Sequence, residues 1–229
     1  MGTPGWLSQH LTDVPAGERW LGSGERRVLA GLRLERRRAD WRLGRWTAKA
    51  AVGAWLDVAP ERVEVLAAAD GAPEAWVDGE PAPVSISLTH RGGRALATVT
   101  QVPDVIGCDL EVVESRSGAF IREWLAPDEQ AQVAAADPSQ RPRLVNLMWT
   151  GKEAAAKVRR EGLRLDVRRA VVSGCGFDIA DGRWRALRVQ WQDGGAVTGW
   201  WRAESAWVMS VAGEPPPERP RALERDGKG

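Results

Sequence analysis

The chain has no tyrosine, and only two phenylalanines, two histidines and two cysteines among 229 residues. Cys108 and Cys175 show neither C-x-x-C spacing nor neighbouring histidines, which excludes a zinc ribbon or a disulfide framework and leaves two packing residues. An excess of one charge sign is missing too: 32 basic against 31 acidic residues gives +1, whereas a general nucleic-acid or anionic-membrane binder is strongly basic. No apolar run approaches the roughly 18 residues of a membrane span. The amino terminus lacks the basic start and apolar stretch of a signal peptide, and Trp6 stands where a myristoylation signal needs Ser or Thr. A cytoplasmic protein is expected. The P-loop, the G-x-G-x-x-G fingerprint and the kinase signatures are all absent.

What is present is an ordinary globular mixture, 43% hydrophobic and 28% charged, long enough to bury a real core. Lysine occurs only at Lys49, Lys152, Lys157 and Lys228, so its positions are informative. Residues 1–20 read as an irregular lead-in, followed by helices over Ser23–Gly31 and about Glu35–Asp57. Strand-like runs follow at Arg62–Ala67, Ala75–Val77, Val84–Thr89 and Ala95–Gln101, separated by Asp70-Gly71, Asp78-Gly79 and Gly92-Gly93. Beyond a break at Pro103-Asp104 come a strand, Val105–Val112, and helices over Ala119–Leu125, after Pro127, and from Pro142 to Arg160, stopped by Gly162. Strands are expected over Ala170–Ile179, Trp184–Trp191, Val197–Arg202 and Ala206–Val211. This order predicts an α+β fold of two similar lobes, 1–104 and 105–212, with a ligand site between them and a disordered tail at 213–229. No sequence repeat at a fixed period supports the duplication, which rests on element order alone.

Four segments carry candidate chemistry. In Gly107-Cys108-Asp109-Leu110-Glu111, strand alternation puts Asp109 and Glu111 on one side, as on a solvated edge or around a divalent cation such as Mg²⁺. In Trp149-Thr150-Gly151-Lys152-Glu153-Ala154-Ala155-Ala156-Lys157, helical spacing aligns Trp149, Glu153 and Lys157, with Lys152 one position off that stripe. That face is either a surface ion pair beside a core tryptophan or a binding face. His90 ends the run Ser87-Leu88-Thr89-His90 and could donate to a phosphate oxygen or simply occupy a turn. Arg38, Arg42, Arg45 and Lys49 form one basic helical stripe, either a solvated face or a seat for a discrete anion.

Taken in order, these segments resemble the 4′-phosphopantetheinyl transferases of the surfactin-synthetase-activating type. The run Arg38…Asp40…Gly44-Arg45…Ala48-Lys49 is similar to the family's Gly-Arg motif, and Ser87-Leu88-Thr89-His90 to its strand ending in Ser/Thr-His. Gly107–Glu111 is similar to Gly-x-Asp-x-Glu, and Trp149–Lys157 to Trp-x-x-Lys-Glu-Ala-x-x-Lys. The resemblance spans about residues 20–212 and implies two α+β lobes related by pseudo-twofold symmetry. It implies transfer of phosphopantetheine from coenzyme A to a serine of an apo acyl- or peptidyl-carrier protein, releasing 3′,5′-ADP, by a cytoplasmic monomer. It implies Mg²⁺ held by Asp109, Glu111 and Glu153, and coenzyme A contacted by Arg45, Lys49, Pro73, Thr89, His90, Lys152 and Lys157. Asp109, Glu153 and Lys157 are the catalytic candidates, Glu153 as base and Lys157 to neutralise the leaving group. Gly71-Ala72-Pro73 departs from the Gly-Lys-Pro of many relatives, and Thr89 replaces the commoner Ser. The acidic carrier would dock near Gly118–Leu125 and Arg141–Leu147. Two alternatives are a catalytically silent binder of coenzyme A or carrier protein, and another Mg²⁺-dependent transferase acting on a nucleotide.

Overall fold

The computed structural model describes residues 2–160, 166–173 and 182–223. They divide into two compact units, one of Gly2–Ile106 joined by the chain from Pro220 onward, the other of Gly107–Arg219. Both combine helices with sheet, so the fold is α+β.

In the amino-terminal unit, α1 (Ser23–Gly31) and α2 (Glu35–Leu56) follow β1 (Gly5–His10). Next come β2 (Val63–Ala67), β3 (Pro73–Val77), β4 (Glu80–Pro81), β5 (Val84–Arg91) and β6 (Arg94–Gln101). The β5–β6 hairpin turns at Gly92-Gly93, both at positive φ, as a two-residue turn between right-twisted strands requires. The main sheet runs β12-β1-β6-β5, where β12 is Arg221–Ala222, and β2-β3-β4 form a separate ribbon. Helix α2 lies over β6, β1 and β5, burying Ala48, Ala51 and Val52 against Leu7, Ile86, Ala97 and Val99. It ends where Asp57 takes a left-handed conformation and its N–H reaches back to the Gly53 carbonyl.

Two sequence expectations are corrected here. Residues 5–10, read as an irregular lead-in, form β1, the strand between β12 and β6. Its buried positions are Gly5, Leu7 and Gln9, so only one of three is a large apolar residue and the alternation carries little signal. The stretch 213–223 is not disordered. After the strand Trp207–Glu214, Arg221–Ala222 form β12 and pair in parallel with Gly5 and Trp6. Leu223 is buried in the amino-terminal core, and Arg221 stacks on Trp55 at 5.2 Å. A short strand paired some two hundred residues away leaves no local pattern, whereas its prolines and charges suggest disorder. Residues 224–229, with Lys228, lie outside the described residues.

The carboxy-terminal unit contains β7 (Val105–Val112), whose first two residues count with the other unit, then α3 (Gly118–Trp124), α4 (Pro127–Ala135) and α5 (Arg141–Arg159). After them come β8 (Ala170–Ser173), β9 (Arg185–Trp191), β10 (Ala196–Glu204) and β11 (Trp207–Glu214), giving the sheet order β7-β11-β10-β9-β8. Helix α5 packs chiefly on β11. It closes at Arg160, left-handed at φ 53°; the expected stop at Gly162, Cys175 and the second half of the Ala170–Ile179 run lie outside the described residues. Cys108 is buried and free, as a packing residue would be. No described helix is long and apolar enough to cross a membrane.

Each unit is organised by a buried lysine–glutamate node, and the two nodes match atom for atom. In the amino-terminal unit, Lys49 Nζ of α2 donates to Glu25 Oε2 at 2.8 Å and to the Trp20 carbonyl at 2.6 Å. Glu25 also accepts from the Gly22 N–H and, at 2.9 Å, from the Val65 N–H of β2. In the carboxy-terminal unit, Lys152 of α5 pairs with Glu129 Oε2 at 2.6 Å and donates to the Trp124 carbonyl at 3.0 Å. Glu129 accepts from the Ala126 N–H and from the Val172 N–H of β8, each at 2.8 Å. Trp20 meets Trp46 edge-on at 5.4 Å, as Trp124 meets Trp149 at 5.3 Å. All four charged side chains have no solvent exposure. Ions so buried persist only when paired and hydrogen-bonded, so each node ties a long helix to the short helix and strand preceding and following it.

Candidate active site

Helix α5 and strand β7 bring the carboxylates of the two specific motifs together. Gly107 makes this possible: a Cβ there would lie 2.1 Å from the Ala154 carbonyl oxygen of α5. With the strand pressed onto the helix at Gly107, alternation aims Asp109 along the same side. Lys157 Nζ donates to Asp109 Oδ1 at 3.1 Å and to the Cys108 carbonyl at 2.7 Å. Asp109 is buried, whereas Lys157 keeps about a third of its side chain exposed. Burial pushes the Lys157 ammonium down, but Asp109, then Cys108 and Glu153, outweigh it and hold the group above its ordinary value. Glu153, one position round the helix from Lys152, is pushed above the usual carboxylate range by burial, then by Asp109, and more weakly by Glu111, against the opposing pull of Lys157.

Asp109, Glu153 and Lys157 therefore form one electrostatic unit. Among the described residues no three His, Cys, Asp or Glu side chains are grouped so as to hold a metal ion by themselves. The donors of Asp109 and Glu153 nonetheless suit a hard cation: two carboxylates that repel one another are relieved by a divalent charge, and Mg²⁺ usually takes one or two carboxylates and draws its other ligands from phosphate and water. Glu111 is placed differently. Its two oxygens accept from Arg116 at 2.7 Å and from the Trp149 indole N–H at 3.2 Å. Arg116 escaped the sequence reading because it sits in an unpatterned connection between β7 and α3, where only contacts reveal a role.

The residues expected to meet coenzyme A separate into two groups. Lys49 and Lys152 are corrected: each is the buried cation of a structural node and cannot reach a ligand while it holds its glutamate. Burial also pushes the Lys152 ammonium down against the opposing pull of Glu129. The basic stripe on α2 is likewise largely spent within the unit. Arg38 donates to the Leu29 carbonyl at 2.8 Å, and Arg42 to the carbonyls of Pro15 and Gly17. A helical stripe of arginines looks the same whether it faces an anion or ties down loops, which is why spacing alone misled. Arg45 and His90 are placed differently. Arg45 is half-buried and stacks on Trp41 at 4.9 Å; burial lowers its guanidinium from the ordinary value, opposed by Glu25. Next to it, Gly44 presses on β5, where a Cβ would stand 3.3 Å from the exposed His90 ring and 3.2 Å from Leu88. Thr89 projects from the other face of β5, and Pro73 opens β3, half-buried opposite Ala67.

Residues 105–212 match the family model described as the 4′-phosphopantetheinyl transferase superfamily. The match takes in β7 and α5, hence both specific motifs with Asp109, Glu153 and Lys157, and leaves out residues 1–104. That stretch is similar to the 4′-phosphopantetheinyl transferase superfamily, a likeness that supports phosphopantetheinyl transfer in general. No curated protein matches the chain.

Proposed function

We propose that the protein transfers 4′-phosphopantetheine from coenzyme A to a serine hydroxyl of an apo acyl- or peptidyl-carrier protein. One observation carries the reading: within the stretch similar to the superfamily, Lys157 of α5 bonds Asp109 of β7, with Glu153 within electrostatic reach of both. The serine oxygen forms the new P–O bond at the β-phosphorus of coenzyme A, the bond from that phosphorus to the bridging oxygen breaks, and 3′,5′-ADP leaves with that oxygen. Glu153 is the candidate base for the serine proton, directly or through a metal-bound water. Lys157, partly exposed and firmly cationic, offsets charge that builds on the departing phosphate. Asp109 and Glu153 would hold Mg²⁺, which supplies charge neutralisation at the pyrophosphate when bound. Arg45, Pro73, Thr89 and His90 remain the amino-terminal candidates for contact with coenzyme A.

The test is intact-protein mass spectrometry on a panel of apo acyl- and peptidyl-carrier proteins with coenzyme A and Mg²⁺. The expected result is the mass gain of one phosphopantetheine on at least one carrier, abolished by EDTA and by Asp109→Ala. Coenzyme A binding with no mass gain on any carrier would favour a catalytically silent binder.

A further inference from the structure

Glu111 belongs, by resemblance, to a three-carboxylate metal set, but its surroundings give it other work. Its carboxylate is 13% exposed and Arg116 only 14%. Arg116 is itself held on every side. Its Nε donates to Asn146 Oδ1 at 2.8 Å, its Nη1 pairs with Glu114 at 2.9 Å, and its guanidinium lies 5.0 Å from the Phe120 ring centre. Asn146, fully buried on α5, donates to the carbonyls of Glu114 and Pro142, each at 2.7 Å. Trp149, which holds the other oxygen of Glu111, is wedged edge-on between Phe120 and Trp124 at 5.3 Å from each. The result is a closed polar network that ties the connection 113–117 to α5.

For Glu111 to ligate an ion, it would have to give up a charge-assisted bond and leave a largely buried guanidinium short of a partner. Asp109 pairs with Lys157, which keeps about a third of its side chain exposed, rather than with the buried Arg116, and two carboxylates suffice for a cation whose remaining ligands are phosphate and water. We propose that in this chain Glu111 is a positioning residue rather than a metal ligand: the cation site is Asp109 with Glu153, and Glu111 anchors Arg116 and, through it, the 113–117 segment beside the site. The inference rests on the reading of Asp109 and Glu153 as cation donors.

The test titrates Mn²⁺ alone into the full chain, following free Mn²⁺ by electron paramagnetic resonance, and measures amide hydrogen exchange over 113–117. Asp109→Asn should abolish binding. Glu111→Gln should weaken it by no more than about threefold, below the 10–100-fold typical when a residue supporting a ligand is removed. Both Glu111→Gln and Arg116→Met should speed exchange over 113–117. Loss of Mn²⁺ binding in Glu111→Gln equal to that in Asp109→Asn overturns the proposal, as does unchanged exchange in that variant or a wild-type chain that binds no Mn²⁺. Mn²⁺ binding with the expected variant pattern, but no transfer to any carrier, would leave this assignment standing and sink the proposed activity instead.

Discussion

The two units share a construction and differ in what they hang on it. Trp20, Glu25, Trp46, Lys49 and Val65 do in one unit what Trp124, Glu129, Trp149, Lys152 and Val172 do in the other, with the same donors and acceptors. The chemistry-bearing positions part company directly beside the node. Where α5 continues from Lys152 to Glu153 and Lys157, α2 continues from Lys49 to Ala50 and Ala54. Where β7 carries Asp109 and Glu111 beyond its glycine, β1 carries Leu7 and Gln9. A buried ion pair is thus a scaffold part in both units, and acids and a partly exposed lysine were added to that scaffold in only one. Adjacent residues on a helix point about 100° apart, so Lys152 can serve the core while Glu153 faces the site.

The sharpest way to break this comparison is to remove the anion of each node. Glu25→Ala and Glu129→Ala each strand a fully buried lysine, and each should cost about 3–5 kcal/mol of stability, read from urea or guanidinium unfolding. A cost near zero for one and not the other would end the equivalence. The comparison is sharpened by a lysine outside the nodes. Lys157→Ala should cut turnover in the transfer assay by about 10²–10³-fold, the scale of losing one preorganised charge partner, while the chain stays folded. A variant that unfolds instead would make Lys157 a third structural lysine. The smallest effect tests what is special to the amino-terminal unit, its borrowed strand. Leu223→Ala should cost about 2 kcal/mol, at the low end for a leucine truncation because the site is at the rim of the core. Hydrogen exchange should localise the loosening to β1 and β12; loosening confined to β9 or β10 would contradict the pairing.

Much of the frame was legible in advance. Helices α2 and α5, the β5–β6 hairpin with its Gly-Gly turn, and strands β7, β9, β10 and β11 fall close to where periodicity and turn residues put them. Spacing aligned Asp109 with Glu111 on a strand and Glu153 with Lys157 on a helix, but that β7 meets α5 at Asp109 and Lys157 was not legible in either pattern. Charge misled where burial decided. Lys49 and Lys152 looked like ligands because they fall in motifs shared with the resembled family, and the arginines of α2 because they are periodic. Nothing in either pattern says whether a partner carboxylate or carbonyl will fold over the charge.

What the amino-acid order determined by itself is therefore local: which segments are helix or strand, where they turn, and which side chains share a face, since these follow from φ/ψ preference and the periods of 3.6 and 2. Tertiary structure alone decided which charges are spent. It put Glu25 on Lys49 and Glu129 on Lys152, closed Arg116 and Trp149 around Glu111, and brought Leu223 back to β1. Each of these contacts, apart from Arg116 with Glu111, joins residues more than twenty positions apart. The worth of each depends on removing both partners from water, and burial is a property of the packed chain that no window of sequence contains.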